Sequence, residues 1–283
     1  MGITLSINDI KRITREMAQY DNMDYTGCLF SFLKRRLGYV FNEMRVRKLT
    51  QFSERLHDKS FRENVKYHMA VNITEMFRDP GFWRSLRHNV FPLFQDGKLS
   101  VWFPDTSSGE EVFSLVILLI EDGLNQNVRI LCQHPSEEKC REIAHGTLHA
   151  NDLELNHNNY KRLEEGDRFI DYFKEENGIL RFRDELLGVC EIKTSMVGDD
   201  NENGSFDLII FRNSAINYTY QKREEILKKL IDCLNPGGFI AIGIRESVPE
   251  SLYDYLIPID ERECIFRKPG FNNNNGPHNG DSR

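Results

Sequence analysis

The hydrophobic period of this chain changes once, around Asp96-Gly97, and that change limits the folds open to it. Between Ile7 and about Leu93 apolar residues recur at helical spacing, as in Ile10, Ile13, Thr14 and Met17, and again in Leu29, Phe30, Leu33 and Leu37. Few turn signals interrupt them, so the spacing predicts a small bundle of helices. Asp79-Pro80 marks a boundary within it, because the residue before a proline is pushed out of helical geometry while proline suits the first turn of a helix, here predicted over 80–89. Beyond Gly97 short apolar runs alternate with amphipathic ones. Strands are predicted at 99–103, 128–132, 206–211 and 239–244, and helices at 110–121, 136–144 and 221–234. Asn235-Pro236-Gly237-Gly238 is expected to end the last of these helices. Such alternation defines an α/β chain with a mainly parallel, doubly wound sheet.

Three regions complete the expected organisation. Residues 1–95 form an N-terminal helical domain and 96–270 an α/β domain. Within the latter, 146–197 is weakly patterned and polar, with short strands at 180–182 and 189–192. The final stretch, 271–283, is too poor in apolar residues to offset the entropy of ordering and is expected to be a disordered tail.

Composition removes several function classes. With 283 residues and 40% apolar content the chain can bury one large or two ordinary cores. It has no apolar run of the roughly 18 residues a membrane span needs and no signal-peptide pattern, so a cytoplasmic protein without membrane insertion is expected. The six cysteines are scattered without C-x-x-C spacing or nearby histidines, which reads as buried reduced thiols and no metal site. Charge is uneven. Residues 1–95 carry 16 Lys+Arg against 10 Asp+Glu and the remainder 21 against 34, so a basic N-terminal part precedes an acidic one. No recognition-helix or interleaved aromatic-basic pattern favours nucleic acid; an acidic protein partner and an ordinary solvated surface both remain open.

Four segments carry the chemistry. Val71-Asn72-Ile73-Thr74-Glu75-Met76-Phe77-Arg78-Asp79-Pro80 closes the helical part, and Trp102-Phe103-Pro104-Asp105-Thr106-Ser107-Ser108-Gly109-Glu110-Glu111 joins the first strand to the next helix. A strand, a tight turn and a helix start form a ligand site because unpaired N–H groups face the turn and a glycine permits close approach. Phe206-Asp207-Leu208-Ile209-Ile210-Phe211-Arg212-Asn213 and Gly243-Ile244-Arg245-Glu246-Ser247 end at the carboxyl edge of the predicted sheet, where open α/β folds bind ligands.

Together these segments resemble the CheR-type chemotaxis-receptor methyltransferases, from the Phe32-Leu33-Lys34-Arg35-Arg36 helix to about Val248. The resemblance implies a small N-terminal helical domain, a Rossmann-like methyltransferase domain, and a small antiparallel β insertion at about 146–197. It also implies S-adenosylmethionine as cofactor, methyl transfer to glutamate side chains, and an acidic helical region of a chemoreceptor or signalling protein as partner. By the same resemblance Arg78 holds the cofactor carboxylate and borders the reaction, with Asn72 and Thr74 shaping that corner. Gly109 and Glu110 belong to the turn at the ligand's amino-acid end, where Glu110 or Glu111 would meet its ammonium. Arg212 and Asn213 line the site.

The sequence departs from that pattern at several points. Pro104, Asp105 and Thr106 replace small residues. His134 stands where an acidic residue would accept both ribose hydroxyls. Ser195 or Thr194 replaces an asparagine near the adenine, and the expected tyrosine is displaced by one position to Tyr218, taken here as a reaction-site residue. These changes leave a second reading, a degenerate family member that keeps the fold as a non-catalytic partner-binding or regulatory module.

Overall fold

A computed structural model describes residues 5–71, 74–95, 97–148, 152–163, 168–176, 179–198 and 204–270. The predicted tail at 271–283 lies outside the described residues. Four helices open the chain: α1 (Ile7–Met17), α2 (Phe30–Glu43), α3 (Leu49–Arg55) and α4 (Lys59–Met69). A reciprocal cap starts α1, in which the Ser6 hydroxyl accepts from the Asp9 N–H while the Asp9 carboxylate accepts from the Ser6 N–H. Its buried stripe is the predicted one, Ile10, Ile13, Thr14 and Met17. On α2 the stripe is displaced: Leu29 caps the helix in an extended conformation and is exposed with Phe30, and burial begins at Phe32 and Leu33.

Asp79 leaves helical geometry as expected, adopting a left-handed conformation with Pro80 opening α5 (Pro80–Ser85). A π-helical turn (Leu86–Val90) and a 3-10 turn (Phe91–Phe94) extend it beyond the predicted end. The α/β part then follows as β1 (Leu99–Phe103), α6 (Glu110–Glu121), β2 (Val128–His134), α7 (Glu137–Ala144) and α8 (Leu153–Lys161). Next come β3 (Phe173–Glu176), β4 (Ile179–Phe182), β5 (Cys190–Thr194), β6 (Phe206–Phe211), α9 (Tyr220–Asp232), β7 (Leu234–Ile242), β8 (Ile257–Asp260) and β9 (Ile265–Arg267).

Among the described residues the main sheet has seven strands in the order β5-β2-β1-β6-β7-β9-β8, and β3 pairs with β4 in a separate antiparallel pair. The five strands from β5 to β7 are parallel, and β9 and β8 add an antiparallel edge. Three features differ from the sequence reading. Of the two strands predicted within the weakly patterned interval, the one at 180–182 is β4, and the one at 189–192 is β5, which joins the main sheet beside β2. Strand β7 begins at Leu234 and absorbs the predicted turn, with Gly237 at φ 82°. The β8–β9 hairpin had no counterpart among the predicted elements.

Side chains alternate across the sheet and separate two apolar cores. Trp102, Ile209 and Ile240 pack with α1–α4 and α9, whereas Val101, Phe103, Leu208 and Ile210 pack with α5, α6 and the β3–β4 pair. Helix α6 is apolar almost all round and correspondingly buried, the behaviour of a helix covered on every side. Strand order reverses between β1 and β6. A crevice at the carboxyl ends of the strands is expected at such a switch point. Among the described residues no helix is long and apolar enough to cross a membrane.

Candidate functional site

That crevice is a cavity of about 310 Å³, walled by the segments that leave β1, β2, β5, β6 and β7 and closed by residues of the N-terminal helices and of the stretch following α4. Ligand pockets run upward from roughly 300 Å³, so the space suits a small cofactor. Of the residues singled out from sequence, Thr74, Arg78, His134, Asn213 and Tyr218 meet in this wall. Gly109, Glu110, Ser195 and Arg212 do not line it, and Asn72 lies outside the described residues. Arg35, Asp105, Arg245 and Glu246 also line the cavity. Periodicity carries no signal for these four, although each lies in a segment that the motifs marked, and the Gly243-to-Glu246 spacing hints at a turn closed by a carboxylate.

Arg78 sits on a segment held from several directions. Phe77 and Asp79 on either side have φ of 53° and 55°, a conformation that costs a non-glycine residue of order 1 kcal/mol or more and persists only under outside constraint. The constraints are visible. The Met76 N–H donates to Asn156 Oδ1 at 2.9 Å, the Phe77 N–H donates to Ser114 Oγ at 2.9 Å, and Trp83 Nε1–H donates to the Arg78 carbonyl at 2.9 Å. The Arg78 guanidinium itself makes no ion pair among the described residues.

Arg212 supplies a further constraint. Its buried guanidinium donates to Glu111 Oε1 at 2.6 Å and to Asp79 Oδ2 at 2.7 Å, and lies over the Phe82 ring at 4.0 Å. It therefore bolts the β6 end to α6 and to the Arg78 segment. Burial raises the Glu111 carboxyl pKa, and the Arg212 charge opposes that shift. Glu110 is likewise occupied: Thr74 Oγ1 donates to its Oε2 at 2.6 Å, Ser108 Oγ donates to the same oxygen at 2.5 Å, and the carboxylate sits at the start of α6, where the helix dipole favours it. Gly109 permits this turn, since at φ 101° an added Cβ would come within 2.8 Å of the Phe113 ring.

Across the cavity Glu246 organises two loops at once. Its Oε2 accepts from the N–H groups of Asn213 (2.9 Å) and Gly243 (2.7 Å), and its Oε1 accepts from Ile216 N–H at 2.8 Å. Asn213 is thereby held at φ 59°. Asp105 hydrogen-bonds Ser214, and burial raises its carboxyl pKa.

His134 is 1% exposed and holds a defined tautomer. The Ser136 N–H donates to Nδ1 at 3.0 Å, so the ring proton resides on Nε2, which has no partner among the described residues. Burial, reinforced by the Lys139 charge, lowers its pKa to about 3. The unfolded chain takes up a proton near pH 6.5 that the folded chain refuses until about pH 3, so stability is lost as pH falls below 6.5. Between pH 8 and pH 5 that linkage amounts to about 2 kcal/mol. Urea unfolding at the two pH values should show this loss in the native protein and a smaller one in His134→Gln. Equal losses in both would contradict a neutral buried imidazole.

Among the described residues no group of three or more His, Cys, Asp or Glu is placed to hold an ion.

A doubly wound sheet with a helix-roofed cavity at its switch point defines an α/β protein of the kind whose ligands sit at the carboxyl ends of the strands. Residues 72–263 match the family model described as CheR methyltransferase, SAM binding domain, and the chain belongs to that family. Cher3 of Pseudomonas putida is 27% identical over 88% of this chain and 91% of its own. Two proteins named chemotaxis protein methyltransferase are also similar. The Listeria innocua protein is 28% identical over 64% of this chain and 67% of its own, and the Listeria monocytogenes protein is 25% identical over 82% and 84%.

Proposed function

We propose that the cavity binds S-adenosylmethionine and that the protein transfers its methyl group to glutamate side chains of a chemoreceptor-type helical partner. The observation that carries this reading is the Arg78 guanidinium, at the cavity wall without an ion pair among the described residues, on a backbone fixed by Ser114, Asn156, Trp83 and Arg212. A planar fork in that position is suited to a ligand carboxylate. The fit extends to His134, whose buried Nε2–H needs an acceptor such as a ribose oxygen. When bound, the cofactor supplies an electrophilic methyl group; the protein's task is to orient it and exclude water. Arg78 and Asn213 would hold the ligand, Thr74 would buttress that corner through Glu110, and Tyr218 would border the acceptor carboxylate. The names of the Listeria relatives and the basic surplus of residues 1–95 support an acidic chemoreceptor partner.

Transfer of labelled methyl from S-adenosylmethionine to a soluble chemoreceptor signalling fragment tests the reading. Arg78→Lys should lower transfer by about tenfold or more, because a point ammonium cannot reproduce the bidentate fork, while the melting temperature stays put. A variant that loses stability yet keeps full transfer would make Arg78 a structural residue.

One observation favours the second reading, a non-catalytic partner-binding module. His134 Nδ1 is already occupied, so this side chain accepts neither ribose hydroxyl. Calorimetry with S-adenosylhomocysteine separates the two. Micromolar binding favours the enzyme, and no binding at millimolar ligand favours the module.

A further inference from the structure

The sequence assigned the ligand's ammonium to Glu110 or Glu111, and the structure leaves neither available. Glu110 is buried between the hydroxyls of Thr74 and Ser108, and Glu111 is paired with Arg212. Among the described residues that line the cavity the carboxylates are Asp105 and Glu246. Both Glu246 oxygens already accept from backbone N–H groups of the loops they hold together. Asp105 differs. It leaves β1 at the switch point, it hydrogen-bonds the Ser214 hydroxyl, and it forms no ion pair among the described residues. A carboxylate has acceptor capacity well beyond one hydroxyl. Arg78 lines the same cavity, so its lining offers both a cation and an anion, the two charges that complement an α-amino acid end.

We propose that Asp105 is the specificity residue that receives the ammonium of the ligand's amino-acid end, while Arg78 receives its carboxylate. This rests on the reading that the cavity takes an S-adenosyl amino acid. It turns the bulkier β1 turn from a defect into a substitute, with the anionic contact moved from the start of α6 to the turn before it. The ligand class follows: adenosyl thioethers or sulfonium compounds that keep a free α-ammonium, in preference to those that lack it.

Isothermal titration of the protein with three thioethers tests the assignment: S-adenosylhomocysteine, its deaminated analogue that keeps the carboxylate, and 5′-methylthioadenosine. The native protein should prefer S-adenosylhomocysteine to the deaminated analogue. Asp105→Asn, which can keep the Ser214 hydrogen bond, should weaken S-adenosylhomocysteine by about ten- to hundredfold, the worth of a charge-assisted hydrogen bond, and erase that preference. Affinity for 5′-methylthioadenosine should not change. Equal weakening of all three ligands, or a preference that survives the substitution, overturns the role of Asp105 and leaves the cofactor reading intact. Absence of S-adenosylhomocysteine binding by the native protein overturns both. Asp105→Ser, with the same expectations, serves where the amide variant does not fold.

Discussion

Replacing Arg212 by methionine is expected to destabilise the protein by about 3 kcal/mol, because it strands Asp79 and Glu111 without their cation. Removing one member of a buried ion group costs roughly 3 to 5 kcal/mol. The lower end applies here, since the Asp79 and Glu111 side chains retain 25% and 19% of their exposure. At about 2 to 4 °C per kcal/mol for a domain of a few hundred residues, thermal unfolding should begin roughly 6 to 12 °C earlier. The deficit should also depend on pH in a defined direction. Burial raises the Glu111 carboxyl pKa even with Arg212 present. Without the guanidinium that pKa rises further, and the cost is fully present above the raised value and relieved as pH falls through it. Denaturant titrations of both proteins at pH 7.5 and pH 5.5 would show the gap narrowing at the lower pH. A gap that is constant, or that widens on acidification, would mean that Arg212 acts through its packing on Phe82 alone.

Trp83→Ala should cost about 3 to 5 kcal/mol, the usual range for emptying a fully buried aromatic site. The ring stacks edge-on against Phe82 and Phe77 at 4.9 and 6.0 Å, and its Nε1–H donates to the Arg78 carbonyl. Trp83→Phe separates packing from that hydrogen bond. It should recover most of the stability and still weaken S-adenosylhomocysteine, because the Arg78 backbone loses the donor that holds it. Calorimetric binding beside chemical unfolding reads both effects. Undiminished ligand affinity in the phenylalanine variant would remove Trp83 from the support of the site.

Sequence legibility followed the range of the interactions involved. Strands β1 and β6 and helix α6 have the bounds their patterns predicted, since each is a short apolar run with a clear local stop. The β8–β9 hairpin escaped because Ile257–Asp260 and Ile265–Arg267 are only four and three residues long, and no glycine marks the turn between them. Strand β5 read as part of an insertion because its membership of the main sheet is set by pairing with β2, some 60 residues earlier. Motif spacing brought Thr74, Arg78, His134, Asn213 and Tyr218 to one cavity. It could not show that Arg212 and Glu110 face other side chains, since their partners Asp79 and Thr74 lie far off in the chain.

The mutual satisfaction of Thr74, Ser108 and Glu110 also bears on how this chain can change over generations. Each side chain answers the others in a space where water does not reach Glu110, so a first substitution at any one of them strands a buried polar partner. The three positions are consequently epistatic, and drift at this corner is confined to paths in which they move together. The cavity-facing positions Asp105 and His134 answer instead to one partner each, the Ser214 hydroxyl and the Ser136 N–H, so a descendant that changes its ligand there has a single partner to satisfy at each step rather than a closed triad.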